Sequence, residues 1–451
     1  MTEPRILGGA LCRIAAILAL GLPLAGCAQG PVPRPQAHGP SKVEIVEEDG
    51  RYRLLVNGAP FRVKGAGLES GSQEELAARG GNAFRTWRPG TPRESGRALL
   101  DRAQRNGLFV ALGLQLRGER HGFDFNDKAA VAAEVARIRG EVAQYKDHPA
   151  LLMWVVGNEL NLEATNPAVW DAVDQIAEMI HEVDPNHPVM TTLAGIDRPL
   201  IEQVKARADS LDLIGIQIYG DIAQLPEKLR ESGWTGPYLV TEWGPTGHWE
   251  SPSTAWGAPI EDDSSTKAGL LEQRYRQYID TDHRQGLGSF VFLWGSKQER
   301  TPTWYGLFLP SGESTPSVDA MQRVWTGRWP DNRSPSITPI EIDGQRATDN
   351  IRLTPDRAYT ARVTAKDPDG DRLAYRWKVL AESTAKSIGG DPEAVPPTIP
   401  ARLSETGNGE VHFDSPSQPG AYRLFVEVHD GHGNAGYANV PFQVSPAPQS
   451  P

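Results

Sequence analysis

From about residue 43 onward, apolar runs alternate with amphipathic stretches in a steady order. A hairpin comes first: residues 52–56, Asn57-Gly58 as the turn, then 61–64. Its second arm continues as a strand ending near Glu69, and further apolar runs follow at 82–87, 108–116, 151–156, 188–193, 211–219, 238–241 and 289–293. Between them lie helical patterns, among them 129–145, 167–183 and 266–285. Ser72 with Glu75 reads as a capping box, and Thr91-Pro92-Arg93-Glu94 as another with proline at the first helical position; Asn106-Gly107 marks that helix's end. The strands are continuously apolar, as strands covered by helices on both faces must be. Eight of them alternating with helices over residues 43–329 predict an α/β fold, a closed (β/α)8 TIM barrel. An open doubly wound sheet would want a glycine-rich phosphate loop after its first strand, and Gly65-Ala66-Gly67 opens no such loop.

Past residue 330 the helical period stops. Residues 330–340 are a Pro/Ser-rich linker, and short alternating runs at 359–364, 373–379, 409–413, 422–428 and 438–444 predict a small all-β sandwich over 341–447. The linker suggests that the sandwich folds independently, so that residues 331–451 would be dispensable for the barrel. The turn Asp367-Pro368-Asp369-Gly370-Asp371 has calcium-type oxygens without the rest of a calcium loop, and is read as a solvated hairpin turn. No metal site is assigned; His248 and His283 are read as isolated surface histidines.

Charge removes several functions. A formal net charge of −11 with no run of Lys or Arg speaks against nucleic acid and against adhesion to anionic lipid by charge. At the N-terminus, Arg5 and Arg13 flank an apolar run at 14–24, too short to remain as a span. It ends in Leu24-Ala25-Gly26-Cys27, which resembles the lipobox of bacterial lipoproteins. The resemblance implies a signal over 1–27, acylation of Cys27, and a membrane anchor followed by a flexible linker at 28–42. By analogy with enteric bacteria, Ala28 after that cysteine implies the outer membrane, on its periplasmic side. Cys12 would leave with the signal, so the mature chain would hold no disulfide.

In a barrel the chemistry sits where strands end at their C-terminal side. Those ends carry Glu69, Arg85 with Trp87, an Arg120-His121 loop, Asn158-Glu159, Tyr219, Glu242-Trp243 and Trp294. Glu159 and Glu242 follow apolar runs and so project into the mouth, as a pair of carboxyls for glycoside cleavage would: one protonates the leaving oxygen, the other attacks or stabilises the anomeric carbon. "WVVGNELN" and "YLVTEWG" resemble the two signatures of the clan A glycoside hydrolases, with family 2 and family 5 barrels nearest and the family 72 glucanosyltransferases further off. The resemblance covers residues 43–329 and implies Glu159 as acid/base and Glu242 as nucleophile of a retaining enzyme. It further implies that Asn158 bonds the sugar 2-hydroxyl, Tyr219 steadies the nucleophile, Arg85 keeps it ionised and Trp294 floors the cleavage point. His121 either donates to substrate or ties down its loop; Trp249, Trp256 and Trp304 either stack on sugar faces or staple long loops. The trailing sandwich resembles the immunoglobulin-like modules, polycystic-kidney or cadherin-like, of secreted bacterial enzymes.

The expected function is hydrolysis of a β-linked glycan, first of all a β-glucan, with no cofactor and with the chain a monomer. A transglycosylase using the same intermediate, or a non-catalytic glycan-binding lipoprotein, are the alternatives.

Overall fold

Eight parallel strands form a closed ring: β1 (Val63–Gly67), β2 (Ala83–Arg85), β3 (Phe109–Leu114), β4 (Leu151–Val156), β5 (Val189–Ala194), β6 (Leu213–Gln217), β7 (Tyr238–Trp243) and β8 (Gly286–Val291). The structure, a computed structural model, describes residues 33–445; the expected signal and Cys27 lie outside the described residues. Closure is made by β8 on β1, from Gly288 opposite Val63 to Val291 opposite Ala66. Gly65 permits this seam, because a side chain there would collide with the ring of Phe290. The open doubly wound alternative is thereby excluded.

Helices α1 (Gln73–Ala78), α2 (Gly96–Arg105), α3 (Lys128–Tyr145), α4 (Ala168–Val183), α5 (Arg198–Arg207), α6 (Leu225–Ser232), α7 (Ser264–Arg274) and α8 (Pro316–Thr326) follow the strands in turn. Ser72 caps α1 through the Glu75 N–H, as its spacing predicts. The start of α2 differs: Thr91 accepts the N–H groups of Arg93 and Glu94 in a turn of its own, and Ser95 caps the helix. A local side-chain turn has taken the first cap signal, and the next serine takes the helix. Helix α7 ends at Arg274 in a wider turn over Tyr275–Ile279, short of the predicted 285.

The leading hairpin is a three-stranded sheet, Val43–Glu48, Arg51–Val56 and Ala59–Phe61. Its Val43, Leu54, Val56 and Phe61 plug the N-terminal end of the barrel against Phe109, Met153, Met190 and Phe290. The described part of the expected tether lies on the same end, where Ser41 is buried and donates to the Pro149 carbonyl at 2.7 Å.

The C-terminal region is a sandwich. One sheet has four strands (Glu341–Ile342, Ala358–Arg362, Glu410–Asp414, Leu403–Gly407), the other five (Arg352–Leu353, Ala435–Val444, Gly420–His429, Ala374–Ala381, Thr398–Ile399). Trp377, Phe413, Leu424, Val440 and Phe442 fill the space between them. Strands Gly420–His429 and Ala435–Val444 are buried on both faces, because the second face lies on the barrel. Carboxylate oxygens of Asp367, Asp371 and Asp430 come within 4.8 Å of one another; Pro368, Asp369 and Gly370 are solvated as expected, while Asp367 at the start of the turn is buried.

The seam between barrel and sandwich is polar and dry. Glu261 accepts from Lys267 (2.5 Å), Thr301 (2.6 Å), Thr303 (2.9 Å) and Asn439 of the sandwich (2.6 Å). Lys267 also donates to the carbonyls of Thr303 and Trp304 and to Tyr437 of the sandwich. Arg423 reaches from the sandwich to the Pro259 carbonyl. Residues 330–340 are no slack linker either, with Ser334 donating its N–H to Asp319 and Ile337 to Ser265.

The barrel is therefore not built to stand alone. Removing one partner of a buried ion pair costs about 3–5 kcal/mol. Lys267→Ala, which strands Glu261, is expected to lose that much in chemical denaturation. Deletion of residues 331–451 should give insoluble or unfolded barrel. A soluble truncated barrel with an unchanged melt would show that the seam is not part of the folding unit.

Candidate active site

Each carboxylate owes its place to how its strand ends. The chain leaves β4 through Gly157 (φ 67°), Asn158 and Glu159 (φ 47°). A left-handed backbone on a residue such as Glu159 costs about 1–3 kcal/mol, a strain that collects at functional positions. The Glu159 N–H is held by the Thr192 carbonyl of β5 at 3.1 Å. Glu242 lies on β7, buried at 6% exposure.

Three donors converge on Glu242. The Arg85 guanidinium (3.1 Å) and the Trp87 indole (3.2 Å) bond Oε1, and the Tyr219 hydroxyl bonds Oε2 at 3.0 Å. Arg85 is fully buried and also donates to the Thr241 carbonyl and, at 2.7 Å, to Asn158 Oδ1. That same oxygen accepts from Gln217 at 2.7 Å and Thr192 at 3.2 Å. With its oxygen saturated, Asn158 turns its amide nitrogen to a cavity of about 970 Å³ that both glutamates line. Gln217 was not among the expected site residues, and Trp87 was named at its strand end without a role. Their signal was present: each stands two positions from a predicted residue, Arg85 or Tyr219, and period two puts them on the same face.

Burial and the neighbouring Glu242 charge push the Glu159 carboxyl up to about 8. Burial also raises Glu242, opposed by the Arg85 charge and the Tyr219 and Trp87 hydrogen bonds. Burial outweighs those bonds, so Glu242 also stands above the usual carboxylate range, and its charge in turn helps hold the proton on Glu159.

The remaining expected residues divide. Trp249 is 59% exposed at the cavity, edge-on to Tyr219 and stacked with Tyr305, placed as a platform for a flat ligand. Trp304 is buried behind it with its indole on the Thr246 carbonyl, a loop staple. Trp256 lies under Arg352 of the sandwich. Trp294 does not floor the site: it is fully buried, bonded to the Ser72 carbonyl and packed on Phe308 and Trp325 in the layer outside the strands. Phe292, two residues earlier, lines the cavity instead. His121 does not line it, and faces Asp391 of the sandwich at 3.2 Å. His248 is no surface histidine; it lines the cavity 3.6 Å from Glu299.

Residues 94–248 match the model of the family described as glycosyl hydrolases family 2, TIM barrel domain. Over that span the chain is similar to a glycoside hydrolase barrel domain. No curated protein matches the chain. Among solved structures, a Bifidobacterium dentium β-glucuronidase complexed with coumarin-3-O-glucuronide aligns at 19% identity and TM-score 0.50, over 64% of this chain and 50% of that one. A Dictyoglomus thermophilum β-D-glucuronidase aligns at 18% and TM-score 0.49, over 64% and 54%. Bacteroides uniformis β-glucuronidase 2 aligns at 14% and 0.49, over 91% and 49%. This chain spans about half the length of these structures, and what it shares with them is the fold.

The electrostatic ordering is open to direct titration. With glutamate carboxyls labelled by carbon-13, Glu242 should lose its proton first and Glu159 only near pH 8. Glu242→Gln removes the charge that helps hold the Glu159 proton, so Glu159 should then titrate lower. An unmoved Glu159 would mean that the two carboxyls do not sense each other.

Proposed function

We propose that the chain is a retaining glycoside hydrolase of β-linked, uncharged glycans, β-glucan first among them, working through a glycosyl-enzyme intermediate. The observation that carries this reading is the nucleophile's cradle: Glu242 fixed by Arg85, Trp87 and Tyr219 beside Glu159, whose carboxyl burial and the Glu242 charge push up to about 8. In the first step Glu159 gives its proton to the leaving oxygen while a Glu242 oxygen attacks the anomeric carbon, forming an ester. In the second, Glu159, now a carboxylate, takes a proton from water as that water displaces Glu242. The Asn158 amide, free to donate, meets the sugar 2-hydroxyl, where a bond that strengthens in the transition state accelerates both steps.

Charge supports an uncharged sugar. The Lys and Arg side chains lining the cavity are Arg88, paired with Glu69, and Lys297, paired with Glu299 at 2.8 Å. Around them stand Glu163 and Glu250, with Asp221, Asp391 and Glu393 paired to Lys228, Arg120 and Arg300. A uronate carboxylate would find both lining cations already engaged. Transglycosylation finds support in Trp249, an exposed ring able to hold an acceptor sugar at the mouth. For localisation, the Leu24-Ala25-Gly26-Cys27 sequence supports a periplasm-facing lipoprotein acylated at Cys27, and the two packed sheets support an immunoglobulin-like module as its sandwich. Radiolabelled palmitate incorporated by the native chain and lost in Cys27→Ala is the matching assay.

A panel of aryl β-glycosides should show turnover of the glucoside well above the glucuronide; the reverse order sinks the substrate reading. Glu242→Ala should abolish turnover of every substrate. Glu159→Ala should give a burst of dinitrophenol followed by slow turnover, with azide restoring the rate as a β-glycosyl azide. If Glu242→Ala shows the burst instead, the roles are reversed.

The rate should trace a bell against pH. Its alkaline limb follows loss of the Glu159 proton near pH 8 and its acid limb follows protonation of Glu242. Tyr219→Phe removes a donor to the ionised carboxylate, so the acid limb should move to higher pH. An acid limb that stays put would show that the Tyr219 bond does not stabilise the charge.

A further inference from the structure

We infer that residues 387–393 of the sandwich are a fixed bar across the barrel mouth that restricts the site to the ends of glycan chains. The inference rests on the glycosidase reading above and adds to it a specificity element outside the barrel.

The bar is pinned at one end to the loop after β8. Arg300 donates its backbone N–H to Glu393 at 2.7 Å, and its guanidinium bonds Glu393 (2.8 Å), the Ser387 carbonyl (2.9 Å) and the Ala385 carbonyl. Lys297 from the same loop donates to the Gly390 carbonyl at 2.8 Å. The other end is pinned to the loop after β3, where Arg120 bonds Asp391 at 2.7 Å and His121 stands 3.2 Å from it. Gly389 (φ 56°) presses on Leu162, after β4, so closely that a Cβ would come within 2.6 Å of that side chain. Ser387 donates to Glu393 at 2.7 Å, which closes the segment on itself.

Around the closed ring, β8 and β4 are opposite one another. A segment tied to the loops of β8, β3 and β4 therefore spans the mouth. Residues Ile388 to Glu393 line the same cavity as Glu159 and Glu242. Ligand pockets run to about 300–1,000 Å³, so a cavity of about 970 Å³ accepts more than one sugar ring. The interior of a polymer needs a groove open at both ends, and the bar obstructs one. The side it leaves free, over β5 to β7, carries the exposed Trp249.

The bar is testable in the full-length chain with 4-nitrophenyl β-glucoside and soluble mixed-linkage β-glucan. The native enzyme should release reducing sugar from the polymer without an early fall in viscosity. Replacing residues 387–393 with a short Gly-Ser link should raise kcat/KM on polymer relative to the aryl glucoside about tenfold, equivalent to ~1.4 kcal/mol, and viscosity should then drop early. Arg120→Ala, which frees only the far end, should shift the same ratio in the same direction and guards against a loop replacement that fails to fold. Early viscosity loss with the native enzyme, or an unchanged ratio in folded Arg120→Ala and loop variants, overturns the bar while leaving the glycosidase reading intact. No turnover of either substrate by the native enzyme overturns both.

Discussion

A guanidinium with no exposed surface, bonded to a carboxylate almost as deeply buried, is the constraint around which the mouth of this barrel is arranged. Arg85 and Glu242 come from β2 and β7, on different arcs of the ring, so the ring must be closed for them to meet. Each charge in isolation would be strongly disfavoured there. Together, and with the Thr241 carbonyl, Asn158, Trp87 and Tyr219 supplying further bonds, they are held at one geometry. Burial raises the proton affinity of Glu159, and the negative charge that Arg85 stabilises in the same pocket raises it further.

Much of this was legible along the chain. Eight strands buried on both faces leave continuous apolar runs, and helices leave caps. Strand ends then give the two glutamates, Arg85, Asn158 and Tyr219 by position, because a barrel has one functional rim. Trp294 shows where such reading stops. A side chain just past a strand end can turn inward or outward, and here the indole finds the Ser72 carbonyl and an apolar layer behind the strand. The opening strand at Val43–Glu48 was missed because its three acidic residues dilute the apolar signal that β1 to β8 carry.

The sandwich's attachment was invisible for a different reason. Its contact face presents Arg423, Tyr437 and Asn439, residue types that alternate with apolar ones as an exposed face would. Burial of that face rests on partners more than a hundred residues away, Glu261 and Lys267 above all. The Pro/Ser composition of 330–340 reads as slack, yet its backbone is bonded to Asp319 and Ser265. Period and composition describe a strand's own two faces and carry no mark of a polar surface that another domain dries.

The buried seam also sets an order on how the molecule comes to be. A chain growing from its N-terminus makes Glu261 and Lys267 long before Asn439 and Tyr437, so a newly made barrel holds a charged pair still open to water. The loops carrying Thr301 and Thr303 take up that pair's remaining bonds and lead into the rim of the mouth. Strand pairing within the barrel can begin early, whereas the rim sets only when the last long strand of the sandwich, Ala435–Val444, lies down. The nascent barrel thus stays unfinished until its final residues are made, and its catalytic groups come to rest only then.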